Sequence, residues 1–391
     1  MAIIRFIVGP KETIQPDVQL ILLIGLYLLY LTGILWSTDI KEGNASLETM
    51  FSLFLFPILF MINREFFKTN LIQILLFFIF GCLVSVIAHL TVAFWESTSF
   101  LNHGIVFNTI DPNYASWDYG GSHFRYTNLS PYLHPSYYSA YLILAAIASV
   151  LIIRYKALSD KYLIGILKFS VPIFLIMIYL LSSKAGIFCA VLVIVFYSVF
   201  LIRENKQMIH KIIIVLSCLA IVITALQNSR FNTLKEAIRN PHIVNDYKAT
   251  GSVISRIHIW KAAIEVISGN FFLGVGTGDT SIALDKKYEI YQYKEPLRVS
   301  AHAHNQFLEV FVCLGIIGFL LLLTVFIYPV IQSIRQKNII FLLFIFIIFF
   351  NYLFESMLNR MSGSIFFSFF YCLLSITNLN GKEPSKIKKD K

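Results

Sequence analysis

Ser300-Ala-His-Ala-His-Asn-Gln-Phe-Leu-Glu-Val-Phe-Val-Cys-Leu-Gly-Ile-Ile-Gly318 passes from a polar mouth carrying His302 and His304 straight into an apolar helix. The apolar run continues to about residue 330, long enough for the roughly 20 residues that cross a bilayer. The stretch therefore reads as the surfacing end of a membrane span. Imidazoles at such a mouth, beside a long basic segment, suit acid–base chemistry on a lipid-borne substrate.

Composition agrees with a membrane chain. Of 391 residues, 57% are hydrophobic and 14% charged, and the mean hydropathy is +0.72. A soluble domain of this length needs more polar surface, so lipid is the solvent for most of this one. The net charge of +10 is not a nucleic-acid footprint, because no basic helix or aromatic platform stands clear of the apolar segments. Cys82, Cys189, Cys218, Cys313 and Cys372 all lie in apolar runs. They read as buried small hydrophobes and not as a disulfide or zinc framework. The apolar run at residues 3–8 is too short for a signal core, so the first span is expected to serve as an uncleaved signal.

Apolar runs fall at 18–36, 48–62, 71–94, 132–153, 161–181, 185–202, 211–227, 305–330, 338–356 and 363–379. They predict an all-α, polytopic helix bundle of about ten spans. Residues 1–226 form an N-terminal membrane bundle, 227–304 a long external loop, 305–380 the closing spans and 381–391 a basic tail. Lys and Arg concentrate in one set of short connections, which makes that side cytoplasmic and puts both termini there. The tail meets anionic headgroups. The loop at 227–304 and a second external segment at 95–131 lie on the far side. The longer one holds ten basic residues, among them Arg256 and Arg298. An external basic surface at a bilayer attracts phosphate or diphosphate.

Within that loop, residues 252–268 predict an amphipathic helix, with Ser252 as cap and Gly269 as stop. Ile257, Trp260, Ile264 and Ile267 form its apolar stripe. The stripe predicts a helix lying in the interface plane, with Trp260 at headgroup depth and Arg256 beside a lipid diphosphate. Gly274-Val-Gly-Thr-Gly-Asp279 lacks the spacing and context of a nucleotide loop and reads as a turn. Its glycines leave room for backbone N–H groups to approach a phosphate or sugar.

Each polar candidate carries a functional and a structural reading. His304 is either a general base or a helix-entry residue that caps or packs. His302 faces the same way only if the segment is extended, and no third ligand at a useful spacing makes a metal pair of the two. Arg256 and Arg298 offer forked donors to phosphate, or are solvated loop charges. Lys184 in Ser182-Ser-Lys-Ala-Gly186 contacts phosphate or snorkels. Lys168 lies deeper in its span and calls for a carboxylate partner. Glu309 and Glu355 orient a basic residue or a sugar hydroxyl, or pair structurally. His134 opens another span from outside, as anchor or site residue. Gly315 and Gly318 read as a close-packing pair.

Together these residues resemble the O-antigen ligase and polymerase superfamily of bacterial envelope glycan enzymes. The match rests on His304-Asn305 followed by Gly315-x-x-Gly318 after a long external loop. Ser255-Arg256 with Trp260 and Leu273-Gly-Val-Gly276 support it, as do Ser183-Lys184-Ala-Gly186, His134-Pro-Ser-Tyr137 and Glu355-Ser-Met-Leu-Asn-Arg360. The resemblance spans about residues 130 to 375 and implies a GT-C-like, metal-independent, inverting glycosyltransferase without cofactor, in the bacterial inner membrane with its site facing the periplasm. The implied donor is a glycan on undecaprenyl diphosphate. The implied acceptor is lipid A–core for a ligase, or another lipid-linked glycan for a polymerase. By analogy His304 is the base, and Arg256, Lys184 and Arg298 hold the diphosphate. His302, Asn305, Glu309, Glu355, Trp260 and His134 support them. The family usually has Arg at the position of Lys184, and a lysine keeps the charge but loses the fork. Members often carry more spans than this chain shows, which leaves an early span pair unaccounted for. The rival class is a non-enzymatic polysaccharide or lipid transporter, which requires charged residues through the bilayer centre.

Overall fold

The computed structural model describes residues 17–101, 104–110, 122–183, 185–194 and 252–379. Those residues form a helical bundle. The helices that build and position the site are α1 (Val18–Gly33), α2 (Ile40–Met50), α3 (Ser52–Ile62), α4 (Leu71–Glu96), α5 (Pro135–Arg154), α6 (Lys161–Leu181), α7 (Ser252–Gly269), α8 (Thr280–Ile290), α9 (Lys294–Arg298), α10 (Gln306–Arg335), α11 (Ile339–Tyr352) and α12 (Met361–Ile376).

Six stretches are long and apolar enough to cross a bilayer: Val18–Trp36, Ile40–Ile62, Leu71–Glu96, Pro135–Arg154, Lys161–Leu181 and Gln306–Arg335. Three of the other expected spans correspond to shorter apolar helices, Ala185–Ile194, Ile339–Tyr352 and Met361–Ile376. The run at 211–227 lies outside the described residues. The second span starts earlier than its apolar run, because Asp39 accepts the Glu42 N–H and caps a polar first helix, α2, that continues into α3. Pro57 sits inside α3 without ending it.

The inner element is α5. Of its spanning window 78% is buried, against 28% for α4 and α6. Its sequence explains this. Ala140, Ala145, Ala146 and Ala148 let neighbours approach closely, and Ser149 bonds Ser170 of α6 at 3.1 Å. Ser136 pairs with Ser183 at 3.0 Å, and Ser52 of α3 with Ser364 of α12 at 2.8 Å. Cys82, Cys189, Cys313 and Cys372 are buried and free, as expected, while Cys218 is outside the described residues. Lys168 has no carboxylate partner among the described residues. It stands exposed on α6, where its long stem can carry the ammonium to the interface.

Two expectations for the external segments change. The stretch after α4 holds an antiparallel hairpin, β1 (Thr98–Leu101) with β2 (Gly104–Phe107), a small exception to an all-α chain. Helix α7 spans the predicted residues, but of the predicted stripe only Trp260 and Ile267 join its packed side. Its Ile259, Ala262, Ala263 and Val266 are buried against Leu284, Tyr288, Ala303 and Val312, while Ile264 is exposed. The small Ala262 and Ala263, uncounted in a stripe of large side chains, decide which face packs. The polar helices α8 and α9 complete this second core.

The Gly-rich loop is a structural clamp. Helix α10 breaks at Gly315, whose φ is 64° and ψ −161°. A break frees carbonyls that lipid cannot satisfy. The loop satisfies them: Val275 N–H donates to Val312 O and Gly276 N–H to Cys313 O, both at 2.9 Å, while Ile316 N–H donates to Phe271 O at 2.8 Å. Further on, Thr277 N–H donates to Gly33 O at 3.3 Å, and the Asp279 carboxylate accepts the Thr38 and Asp39 N–H groups at 2.8 Å each. The turn reading of this segment holds. Its N–H groups are occupied by protein and do not reach out to a phosphate. Gly315 is likewise a helix break held by a loop, not half of a helix-packing pair.

Candidate active site

The mouths of α5 and α10 meet the end of α11 at one end of the bundle. The segment before α10 is pinned from several sides. Tyr288 Oη donates to Ala301 O at 3.0 Å, Trp260 Nε1 to Ala303 O at 3.1 Å, and Ala303 N–H to Glu309 Oε2 at 2.7 Å. Asn305 caps α10 by accepting the N–H groups of Phe307 and Leu308, and its amide donates to Leu353 O at 3.2 Å. Between these anchors His304 adopts a φ of 46°. A non-glycine residue held there stores backbone strain that the surrounding bonds maintain.

The pinned segment delivers each histidine to a carboxylate. His304 Nδ1 lies 3.2 Å from Glu355 Oε2. The other oxygen of that carboxylate accepts Arg256 Nη2 at 2.8 Å. Glu355 is only 5% exposed. Burial pushes its carboxyl up, but the His304 hydrogen bond and the fields of His134 and Arg256 outweigh burial and hold it below the usual carboxylate range. An ionised carboxylate only accepts, so it fixes the Nδ1–H tautomer of His304 and leaves Nε2 as the free lone pair. Arg256 still has donor capacity, because its buried Nε has no partner among the described residues.

His302 takes a parallel position. Its Nδ1 is 3.8 Å from Glu309 Oε1, and Asn359 Nδ2 lies 3.3 Å from that ring and 2.8 Å from the same carboxylate oxygen. Glu309 and Glu355 are thus both paired structurally, and each sits against one of the two histidines.

A cavity of about 410 Å³ opens over this group, lined by Ser130, His134, Tyr137, His302, His304, Glu355, Ser356 and Arg360. His134 is the N-cap of α5, its Nδ1 accepting Ser136 N–H at 3.4 Å. Arg360, which closes the Glu355–Arg360 motif but received no role in the sequence reading, is among the residues lining the cavity. Its signal was its position just ahead of the last apolar run, on the side where His304 surfaces. Trp260 is recruited as well, as a clamp on the His304 segment.

One expected cation, Arg298, is not brought in. Arg298 is mostly exposed and pairs with Glu295 within α9 at 2.9 Å. Lys184 lies outside the described residues. Its neighbour Ser183 accepts Gly186 N–H at 3.1 Å, and Ser183 meets Ser136 in the first turn of α5, the helix that His134 caps.

The arrangement pairs a tautomer-fixed imidazole with an arginine through one buried carboxylate, beside a cavity with a second arginine. Such a group can take a proton from a hydroxyl and hold an anionic leaving group. No curated protein matches the chain. Residues 169–323 match the family described as O-antigen ligase; the match takes in α7, the Gly-rich loop, His302 and His304, and it supports the resemblance of this multi-pass membrane protein to the O-antigen ligase and polymerase superfamily.

Proposed function

We propose that the chain is an O-antigen ligase-type glycosyltransferase. It moves a glycan from undecaprenyl diphosphate to a sugar hydroxyl of lipid A–core, on the periplasmic face of the bacterial inner membrane. The observation that carries this reading is the Glu355 carboxylate, which lines the larger cavity together with His304 and joins that histidine, at 3.2 Å, to Arg256, at 2.8 Å.

The acceptor hydroxyl approaches Nε2 of His304. Its oxygen attacks C1 of the donor sugar as the C1–O bond to the diphosphate breaks, with inversion at C1. The proton passes to Nε2, and the electron pair of the broken bond leaves on undecaprenyl diphosphate. Diphosphate is already a good leaving group, so the site needs to align the hydroxyl, accept one proton and stabilise anionic charge. Arg256 and Arg360 supply that charge without a metal. Glu355 offsets the imidazolium formed during transfer, as the carboxylate of a histidine pair does.

A polymerase differs only in the acceptor, a hydroxyl on another lipid-linked glycan, and the same geometry serves it. The test is a glycolipid gel from cells lacking the gene, complemented with wild type or His304→Ala. A ligase leaves lipid A–core bare while long chains accumulate on undecaprenyl diphosphate. A core carrying a single repeat identifies the polymerase, and unchanged glycolipids in both strains overturn lipid A–core glycosylation.

A further inference from the structure

A second polar cavity adjoins the first, and nothing in the proposed chemistry uses it. It measures about 200 Å³ and is lined by Tyr30, Thr49, Ser281, Glu309 and Asn359, sharing His302 and Arg360 with the larger cavity. It lies where α1, α2, the Gly-rich clamp and the mouth of α10 converge.

Its chemistry selects the occupant. Glu42 and Glu309 both line it, and two carboxylates repel a phosphate. Lipid tails are unsuited to walls of hydroxyl, amide and carboxylate groups. Hydroxyls, an amide and a carboxylate are the donors and acceptors that match a neutral polyhydroxylated ring. The volume is below the roughly 300–1,000 Å³ of drug-sized pockets, which suits one ring and not a long glycan. Tyr30 is 2% exposed, yet its hydroxyl, in a residue lining this cavity, has no hydrogen-bond partner among the described residues. Buried hydroxyls are ordinarily paired.

We infer that this cavity is a monosaccharide subsite, holding the sugar ring next to the reacting atoms and setting which sugar the site accepts. The inference deepens the glycosyltransferase reading and rests on it for the identity of the reaction. The sugar belongs to the donor or to the acceptor. His302 and Arg360, common to both cavities, form the threshold between sugar and diphosphate.

The test uses the full chain in nanodiscs and two measurements. Saturation-transfer NMR with a panel of methyl hexosides and methyl N-acetylhexosaminides reads sugar binding without turnover. Signals are expected for at least one glycoside with wild type and with His304→Ala, are lost with Thr49→Met, which fills the cavity, and weaken with Tyr30→Phe. Absence of signal for every glycoside, or signals unchanged by Thr49→Met, overturns the subsite. Steady-state transfer then tells the sources apart. Tyr30→Phe is expected to raise KM roughly fivefold for one substrate with kcat near wild type, as loss of one neutral hydrogen bond does. A rise for the donor assigns the ring to the donor, and a rise for the acceptor assigns it to the acceptor. Glycoside signals sensitive to Thr49→Met without any transfer by wild type uphold the subsite and sink the glycosyltransferase reading. Transfer without such signals does the reverse.

Discussion

His304 and Glu355, 51 residues apart in the chain, meet at 3.2 Å, and the meeting sets the tautomer of the proposed base. His304→Ala is expected to lower kcat about 10²- to 10⁴-fold, the usual contribution of a positioned general base. Glu355→Gln keeps an acceptor oxygen but loses the charge that steadies the imidazolium. A smaller loss, roughly tenfold to a hundredfold, is expected, as for other carboxylates that orient a histidine. The double variant should fall no further than His304→Ala, because the residues act as a unit. Losses that multiply would mean that Glu355 acts elsewhere.

The same carboxylate makes stability depend on pH in a defined direction. Its folded-state pKa is held down, first against burial, by His304, His134 and Arg256. A depressed carboxylate stabilises the fold above its unfolded value, and that contribution disappears as the pH falls through the folded value. Wild type should therefore melt above Glu355→Gln at neutral pH. The gap should close on acidification, read as thermal unfolding in detergent across a pH series. A gap that widens toward acid would contradict the ion-pair geometry.

Arg360 and Arg298 give a direct contrast. Arg360 lines both cavities, while Arg298 is paired with Glu295 on an exposed helix. Charged hydrogen bonds contribute about 1.5–3 kcal/mol. Arg360→Ala should thus raise the donor KM by roughly tenfold to a hundredfold, and Arg298→Ala should leave it near wild type. Transfer kinetics with purified lipid-linked glycan would settle the order, and the reverse ranking would restore Arg298 to the site.

The bundle was legible because span length and hydropathy are local properties of the chain. His304, Glu309 and Glu355 were legible as candidates because polar groups at span mouths have few other reasons to be there, and Arg256 because its loop helix is anchored by apolar residues. What joins them was not. No spacing announces that residues 304 and 355 share a contact, since it depends on how α10 and α11 pack. Arg360 looked like any external charge until the larger cavity gave it a direction. Helix α7 was read from its large apolar residues, whereas Ala262 and Ala263 decide its packing. The helix break at Gly315 was hidden for a similar reason: a Gly-x-x-Gly pair in an apolar run has the same sequence whether it packs a helix or receives a loop.

That break supplies the last prediction. Gly274 and Gly315 both have positive φ, at 69° and 64°. A Cβ on Gly274 would overlap the Cys313 carbonyl, and one on Gly315 would overlap the Phe272 carbonyl. Both are backbone atoms that cannot swing aside. The conformation alone costs a non-glycine residue about 1–3 kcal/mol, and the overlap forces the loop off α10, exposing the Val312 and Cys313 carbonyls. Gly274→Ala and Gly315→Ala should each lower the melting temperature in detergent and abolish transfer. Gly165→Ala, with nothing within 4 Å of the added carbon, should do neither. If Gly315→Ala melts like wild type, α10 is continuous there and the loop is not its clamp. Because the clamp also fixes α1 through Thr277 and the start of α2 through Asp279, its loss should reach the sugar cavity as well as His304.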